Sequence, residues 1–248
     1  MKNVLVANYP ENPKKHKNLD LMLSAQLLNS QRLGWYSSDV IVITNKHHSL
    51  SWGNEINCDL NSICLTGSKV FGLQFLLQRT SLNDVCWLHD LDAWQNVQFE
   101  APEFKDSAFS HYSRPRINGG SQFWKRSGSD ILDKICHKIL KNSSNKEEPV
   151  IQEVCRNNPR VTILNETYNV GCSGFVDRYE RAEKPVKVCH FHPHNRIAWQ
   201  THRYDRNGLG YVSVSEGLEG CVREFFDLPS ELDEEGLKAR ENKIAARA

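Results

Sequence analysis

Over its first hundred residues the chain alternates short β-branched runs with longer stretches of helical periodicity, and this alternation constrains the fold more than any other feature. Parallel neighbouring strands need a crossover of about a dozen residues or more, and an amphipathic helix supplies it compactly. Val4-Leu5-Val6-Ala7 reads as the first strand. Leu19 to Leu33 predicts a helix: Asn18 or Asp20 caps it, Leu19, Leu23 and Leu27 form its apolar stripe, and Gly34 stops it. Val40 to Thr44 is the second strand, and Lys69 to Arg79 is a helix that buries Val70, Leu73 and Leu77. The chain then enters the strand Asp84-Val85-Cys86-Trp87-Leu88, which runs out into His89-Asp90-Leu91-Asp92. The class is α/β, with a mixed, mostly parallel sheet flanked by helices.

Beyond residue 92 the pattern becomes mixed. Short strands are predicted near Ala108 to His111, Gly120 to Trp124, Val161 to Leu164 and Val186 to Phe191. One helix runs from a Ser129 cap through Ile131, Ile135 and Ile139, and another spans about Glu147 to Arg156. Residues 230 to 248 are rich in charge and alanine and poor in larger apolar residues, so one domain over residues 1–229 with a charged helix or tail at 230–248 is the expected organisation. At 248 residues the chain is near the upper size for one core.

Charge and cysteine usage narrow the function. Lys and Arg total 31 against 30 Asp and Glu, which excludes attachment to nucleic acid by bulk positive charge. No apolar run approaches the roughly 18 to 20 residues of a membrane span, and the opening residues lack the form of a signal peptide. Eight scattered cysteines without a Cys-x-x-Cys pair read as reduced thiols, so a cytoplasmic protein is expected. The sequons at Asn142 and Asn165 would matter only in a secreted chain.

Three segments carry chemistry. In Asp90-Leu91-Asp92, strand alternation would put both carboxylates on one face with Leu91 in the core, which makes a hard-cation site. Read alone, the tripeptide is a pair of aspartates capping a turn; its place at a strand end after Trp87-Leu88 brings the cation reading level with that one. In Cys189-His190-Phe191-His192-Pro193-His194 the histidines alternate until Pro193, and imidazole beside carboxylate suits Mn²⁺ over Ca²⁺. Arg116 to Trp124 contains Asn118-Gly119-Gly120, read as a turn opening into a strand, where glycine permits close approach and the Asn118 amide can meet hydroxyls.

The order of these elements resembles the GT-A glycosyltransferases, above all the glycogenin-like and galactosyltransferase-like group. Val4 to Tyr9, Asp90-Leu91-Asp92, Asn118-Gly119-Gly120, Pro149 to Glu153, Asn165 to Asn169, and His190-Phe191 through Trp199 follow that group's order over most of residues 1–200. The resemblance implies a Rossmann-related GT-A fold and a metal-dependent transfer of sugar from a nucleotide diphosphate donor, a UDP-sugar, to a glycan or other hydroxyl acceptor. It implies Mn²⁺ or Mg²⁺ on Asp90, Asp92 and His190, with Asp90 also meeting the diphosphate. Ala7, Asn8 and Tyr9 would line the base, Lys69 would lie near the phosphates, and Asn118, Gly119 and Gly120 would face the sugars. Arg196 stands where the group carries its Lys-Pro-Trp lysine. Ile151 takes the Asp position of the Asp-Gln element and leaves Gln152 and Glu153, so Glu148 or Glu153 becomes the candidate base of an inverting reaction.

Two other readings compete. One is a different metalloenzyme built from His89, Asp92 and the histidines at 190–194; the other is a module of the same fold that binds sugar nucleotide or glycan without catalysis. A dinucleotide-dependent dehydrogenase is disfavoured, because Asn8-Tyr9-Pro10-Glu11 lacks the glycine-rich phosphate turn.

Overall fold

The computed structural model describes residues 1–13, 16–60, 63, 67–113, 116–141, 146–171 and 181–190. The opening α/β unit comprises β1 (Lys2–Ala7), α1 (His16–Arg32), β2 (Val40–Thr44), β3 (Asn54–Asn57), α2 (Ser68–Arg79) and β4 (Cys86–His89). These four strands lie in the order β3-β2-β1-β4, all parallel, with Leu5 facing Val42 on one side and His89 on the other.

β1 is central because both of its faces are apolar. Val4 and Val6 point into the core beneath α2, while Leu5 and Ala7 point into the opposite core with Leu23 of α1. Burial on both sides is what a near-continuous hydrophobic strand requires. α2 sits so close on β1 that a Cβ on Gly72 would lie 2.8 Å from Val6 Cγ2. β3, Asn54-Glu55-Ile56-Asn57, escapes sequence reading because it is a polar edge strand without alternation.

The second half adds β5 (Ala93–Gln95), β6 (Ser107–Ser113), β7 (Arg116–Trp124), α3 (Ser129–Lys141), α4 (Glu147–Cys155), β8 (Val161–Leu164), β9 (Val170–Gly171) and β10 (Val188–His190). The large sheet has seven strands in the order β3-β2-β1-β4-β7-β6-β8, and only β7 runs against the rest. A small sheet, β5-β10-β9, carries the chain back beside the end of β4. Trp87, Phe104, Phe123 and Tyr168 share one buried cluster with Val188, which locks the small sheet to the large one. Burying one such side chain contributes about 1.5–3 kcal/mol relative to exposure.

Cys58, Cys86, Cys136, Cys155 and Cys189 are free, buried thiols. Burial pushes Cys86 and Cys155 up to about 12, which keeps them protonated and unreactive. No helix among the described residues is long and apolar enough to cross a membrane.

Candidate active site

Asp90 and Asp92 converge, but not by the strand alternation that the sequence suggests. β4 ends at His89, and residues 90–93 form a tight turn in which Ala93 N donates to Asp90 O at 2.9 Å. Leu91 enters the core between α1 and β1, and Gln26 of α1 pins the turn by donating to the carbonyls of Leu91 (2.8 Å) and Ala93 (3.0 Å). The carboxylates on either side of Leu91 are thereby left facing the sheet's C-terminal edge.

His190 reaches them through the small sheet. β10 pairs with β5 so that His190 stands opposite Ala93, one residue past Asp92. Its Nε2 lies 3.2 Å from Asp92 Oδ1 and 3.5 Å from Asp90 Oδ2, and one ligand atom from each residue falls within 4.8 Å of the others. Burial pulls the imidazole pKa down, yet the facing carboxylates of Asp92 and Asp90 outweigh it and hold it above the ordinary value. An octahedral ion with bonds of about 2.1 Å has neighbouring ligands about 3 Å apart, so this set of two oxygens and one nitrogen fits a small divalent ion.

The glycines of the Asn-Gly-Gly element work differently from the sequence expectation. They lie inside β7 as a bulge, not in a turn, and neither has a positive φ. Phe109 faces Gln122 and Ser110 faces Asn118, so Gly119, Gly120 and Ser121 are extra residues on β7. Asn118 Oδ1 accepts from Gly120 N at 2.7 Å and so closes the bulge, and Asp90 N donates to Gly120 O at 2.9 Å. What the glycines supply is room. A Cβ on Gly120 would stand 2.2 Å from His190 Cε1, and one on Gly119 would stand 2.2 Å from Glu147 Oε1.

Lys69, at the start of α2, joins this group from the other side. Its ammonium is 2.5 Å from Asp90 Oδ1 and 3.2 Å from Glu147 Oε1. Gln122 Nε2 donates to the same Glu147 oxygen at 3.1 Å. Burial raises the Asp90 pKa, but the charges of Lys69 and His190 prevail and it stays below the ordinary carboxylate value. For Glu147 burial prevails over the attraction of Lys69 and lifts it to about 7. Glu147 was not singled out from the sequence, because acidic residues in the first turn of a helix ordinarily complement its dipole at the surface.

Glu148 is exposed next to it, and Asn118 Nδ2 donates to its Oε1 at 2.7 Å. Asn169 Nδ2 in turn donates to Asn118 Oδ1 at 2.6 Å, so two amide side chains in series set the direction of one exposed carboxylate. Gln152 instead donates to Ile117 O and is occupied with holding α4 to β7. Glu153 pairs with Lys138 of α3 at 2.6 Å and is largely exposed. Six residues of helix put it about 9 Å along the axis from Glu147. It does not join the cluster.

The strand-end residues Ala7, Asn8 and Tyr9 are all buried. Asn8 Nδ2 donates to Leu60 O and Ile63 O, both at 3.3 Å. Tyr9 donates its hydroxyl to Asp20 at 2.8 Å, and His16, His48 and the Lys46 ammonium surround its ring. Its ring and hydroxyl are thus engaged by the chain's own side chains. His89, part of the alternative metalloenzyme reading, stacks on Trp87 at 3.9 Å and meets Asn3 Oδ1 at 2.8 Å, away from the carboxylates of the cluster. Arg196, His192, His194, Trp199 and the segment 230–248 lie outside the described residues.

No protein-family model matches the chain, and no curated protein matches it in sequence. Solved structures do match it in shape. The galactosyltransferase LgtC, solved in complex with donor and acceptor sugar analogues, aligns with a TM-score of 0.57 at 12% identity over 93% of this chain and 98% of LgtC. The glycosyltransferase GlyE of Streptococcus pneumoniae TIGR4 aligns at 0.56 and 12%, over 91% of this chain and 63% of GlyE. A glycosyltransferase involved in glycosylation of the major capsid of PBCV-1 gives 0.52 and 12%, over 77% and 93%. The chain has the GT-A fold. Within that GT-A fold, Asp90-Leu91-Asp92 occupies the C-terminal end of β4, where the strand order reverses between β1 and β4.

Proposed function

We propose that the chain is a divalent-cation-dependent glycosyltransferase that moves a sugar from a nucleotide diphosphate donor, a UDP-sugar, to an acceptor hydroxyl. The observation that carries this reading is the meeting of Asp90, Asp92 and His190 beside the switch point of a GT-A sheet. Open α/β sheets bind their ligands in the crevice at that point. A cation held by these three side chains, Mn²⁺ by preference for the mixed donor set or Mg²⁺, would supply charge stabilisation to the donor diphosphate.

The chain's own residues provide the rest. Lys69 brings a second positive charge to the place where the diphosphate leaves. In this reading the exposed Glu148 carboxylate, held by the Asn118 amide, accepts the proton of the acceptor hydroxyl. Glu153 gives up the role of base to Glu148. Ala7, Asn8 and Tyr9 fix the end of β1 as a wall for the nucleotide, and Arg196 remains the candidate for a further contact to its phosphates. That LgtC was solved with donor and acceptor sugar analogues supports a sugar acceptor for this reading. The catalytic domain extends to residue 229 on the composition of the segment beyond it.

Incubation with UDP-, GDP- and dTDP-sugars, with and without Mn²⁺, tests this proposal. Cation-dependent release of UDP is the expected result. Absence of turnover with every donor would favour a binding module, and turnover unaffected by chelator would overturn the metal reading.

A further inference from the structure

We infer that Lys69 is an internal counter-ion of the cation site: its ammonium holds the Asp90 carboxylate while no divalent ion is bound and withdraws to a second seat on Glu147 when one arrives. This rests on Asp90, Asp92 and His190 being cation ligands, as proposed above. It adds a reason for a buried ammonium to stand between two carboxylates.

The geometry has three parts. First, Lys69 touches a ligand oxygen, with its Nζ 2.5 Å from Asp90 Oδ1 and its side chain only 12% exposed. An ammonium and a divalent ion drawn to one carboxylate repel each other strongly in so dry a place, so loading the site requires the ammonium to yield. Second, a place for it to go is already built. Glu147 Oε1 lies 3.2 Å from the same Nζ, its side chain is 4% exposed, and Gln122 Nε2 fixes that oxygen. Glu147 Oε2 is buried without a hydrogen-bond partner among the described residues. A carboxylate buried with one oxygen unmatched is costly if its task is only to complete an ion pair that Asp90 already provides. Third, Gly119 exists in the form this seat needs, since a Cβ there would fall 2.2 Å from Glu147 Oε1. Bulge, glutamine and glycine together hold an acceptor ready for a cation that moves a short distance.

Such a device lowers the affinity of the empty site for metal and leaves Lys69 on the diphosphate side once metal is seated. Titration of the full chain with Mn²⁺ alone, followed by the electron paramagnetic resonance signal of free Mn²⁺, reads the effect without donor or turnover. Lys69→Met is expected to bind Mn²⁺ tighter than the natural chain by about tenfold or more, because the competing charge is gone. Glu147→Gln is expected to bind it several-fold more weakly, because the ammonium then has only Asp90. In the Lys69→Met background the Glu147→Gln change should have little further effect, since no ammonium is left to receive. Equal affinity in the natural chain and Lys69→Met, or additive effects of the two changes, would overturn the proposal. If Lys69→Met fails to fold without metal, the Lys69→Met/Glu147→Gln double variant removes the buried pair together and is compared with Glu147→Gln alone. Asp92→Asn separates the two readings. Undiminished Mn²⁺ binding by Asp92→Asn would sink the cation site itself. Lost binding in Asp92→Asn, with no gain in Lys69→Met, would sink only the counter-ion.

Discussion

Adding one methyl group at Gly120 should disable the site from behind. A Cβ there would lie 2.2 Å from His190 Cε1 and 2.3 Å from its Nδ1, whereas ordinary contact begins at 3.4 Å, so atoms must part by at least 1.2 Å. The imidazole has little freedom to retreat, because it is almost fully buried and its backbone is paired on both sides, to Ala93 and to Gly171. Overpacking of this kind costs about 1–3 kcal/mol. In a chain of this size each kcal/mol is worth about 2–4 °C of Tm. Metal–ligand distances tolerate only about 0.2 Å, so the 3.2 Å relation between His190 and Asp92 would no longer serve a common ion. Gly120→Ala is therefore expected to melt several degrees lower and to lose most Mn²⁺ affinity by calorimetry. Gly119→Ala should also melt lower, since its Cβ meets Glu147, but it leaves all three ligands in place and should lose Mn²⁺ affinity only several-fold, as Glu147→Gln does, far less than Gly120→Ala. A Gly120→Ala protein with natural Mn²⁺ affinity would refute the reasoning.

Glu148→Gln is expected to lower kcat by about 10²- to 10⁴-fold with little change in donor binding, whereas Glu153→Gln, at an exposed pair with Lys138, should leave both nearly unchanged; the opposite ranking in steady-state kinetics would return the base to Glu153. The buried ring of His89 has its pKa pulled down from 6.5 to about 4. Its stabilising effect is present above pH 6.5 and is lost as the pH falls toward 4, because the unfolded chain takes up the proton first. Urea melts in chelator should show a shallower loss of stability over that range in His89→Gln than in the natural chain, and equal slopes would show that the ring carries no such linkage.

Much of the scaffold was legible because its signals are local. Val40 to Thr44 and Val161 to Leu164 are bounded as their sequence patterns predict, and the helices begin or end within a few residues of expectation. Local signals fail where pairing decides the structure. β3 is a strand only because β2 offers it an edge, and β5 is three residues long and paired by β10 nearly a hundred residues later. The same distinction divides the site. Asp90, Asp92 and His190 were legible as chemistry and Lys69 through the family resemblance, and the structure brings them together. Asn118-Gly119-Gly120 was legible as a motif but not as a bulge, since the need for glycine arises from His190 and Glu147 arriving from distant segments. Glu147 had no local signal at all, and Gln122 and Asn169 stood inside motif segments without a role of their own; only the meeting of α4 and of the residue before β9 with β7 gives them a task. Glu153 had the chemistry without the place.

The central claim is that Asp90, Asp92 and His190 hold a cation through which a nucleotide diphosphate is bound. Calorimetric titration of UDP into the natural chain and Asp92→Asn, each with Mn²⁺ and with chelator, addresses it most directly. The account predicts UDP binding only to the natural chain with Mn²⁺. UDP binding of equal strength in chelator, or in Asp92→Asn, would contradict it.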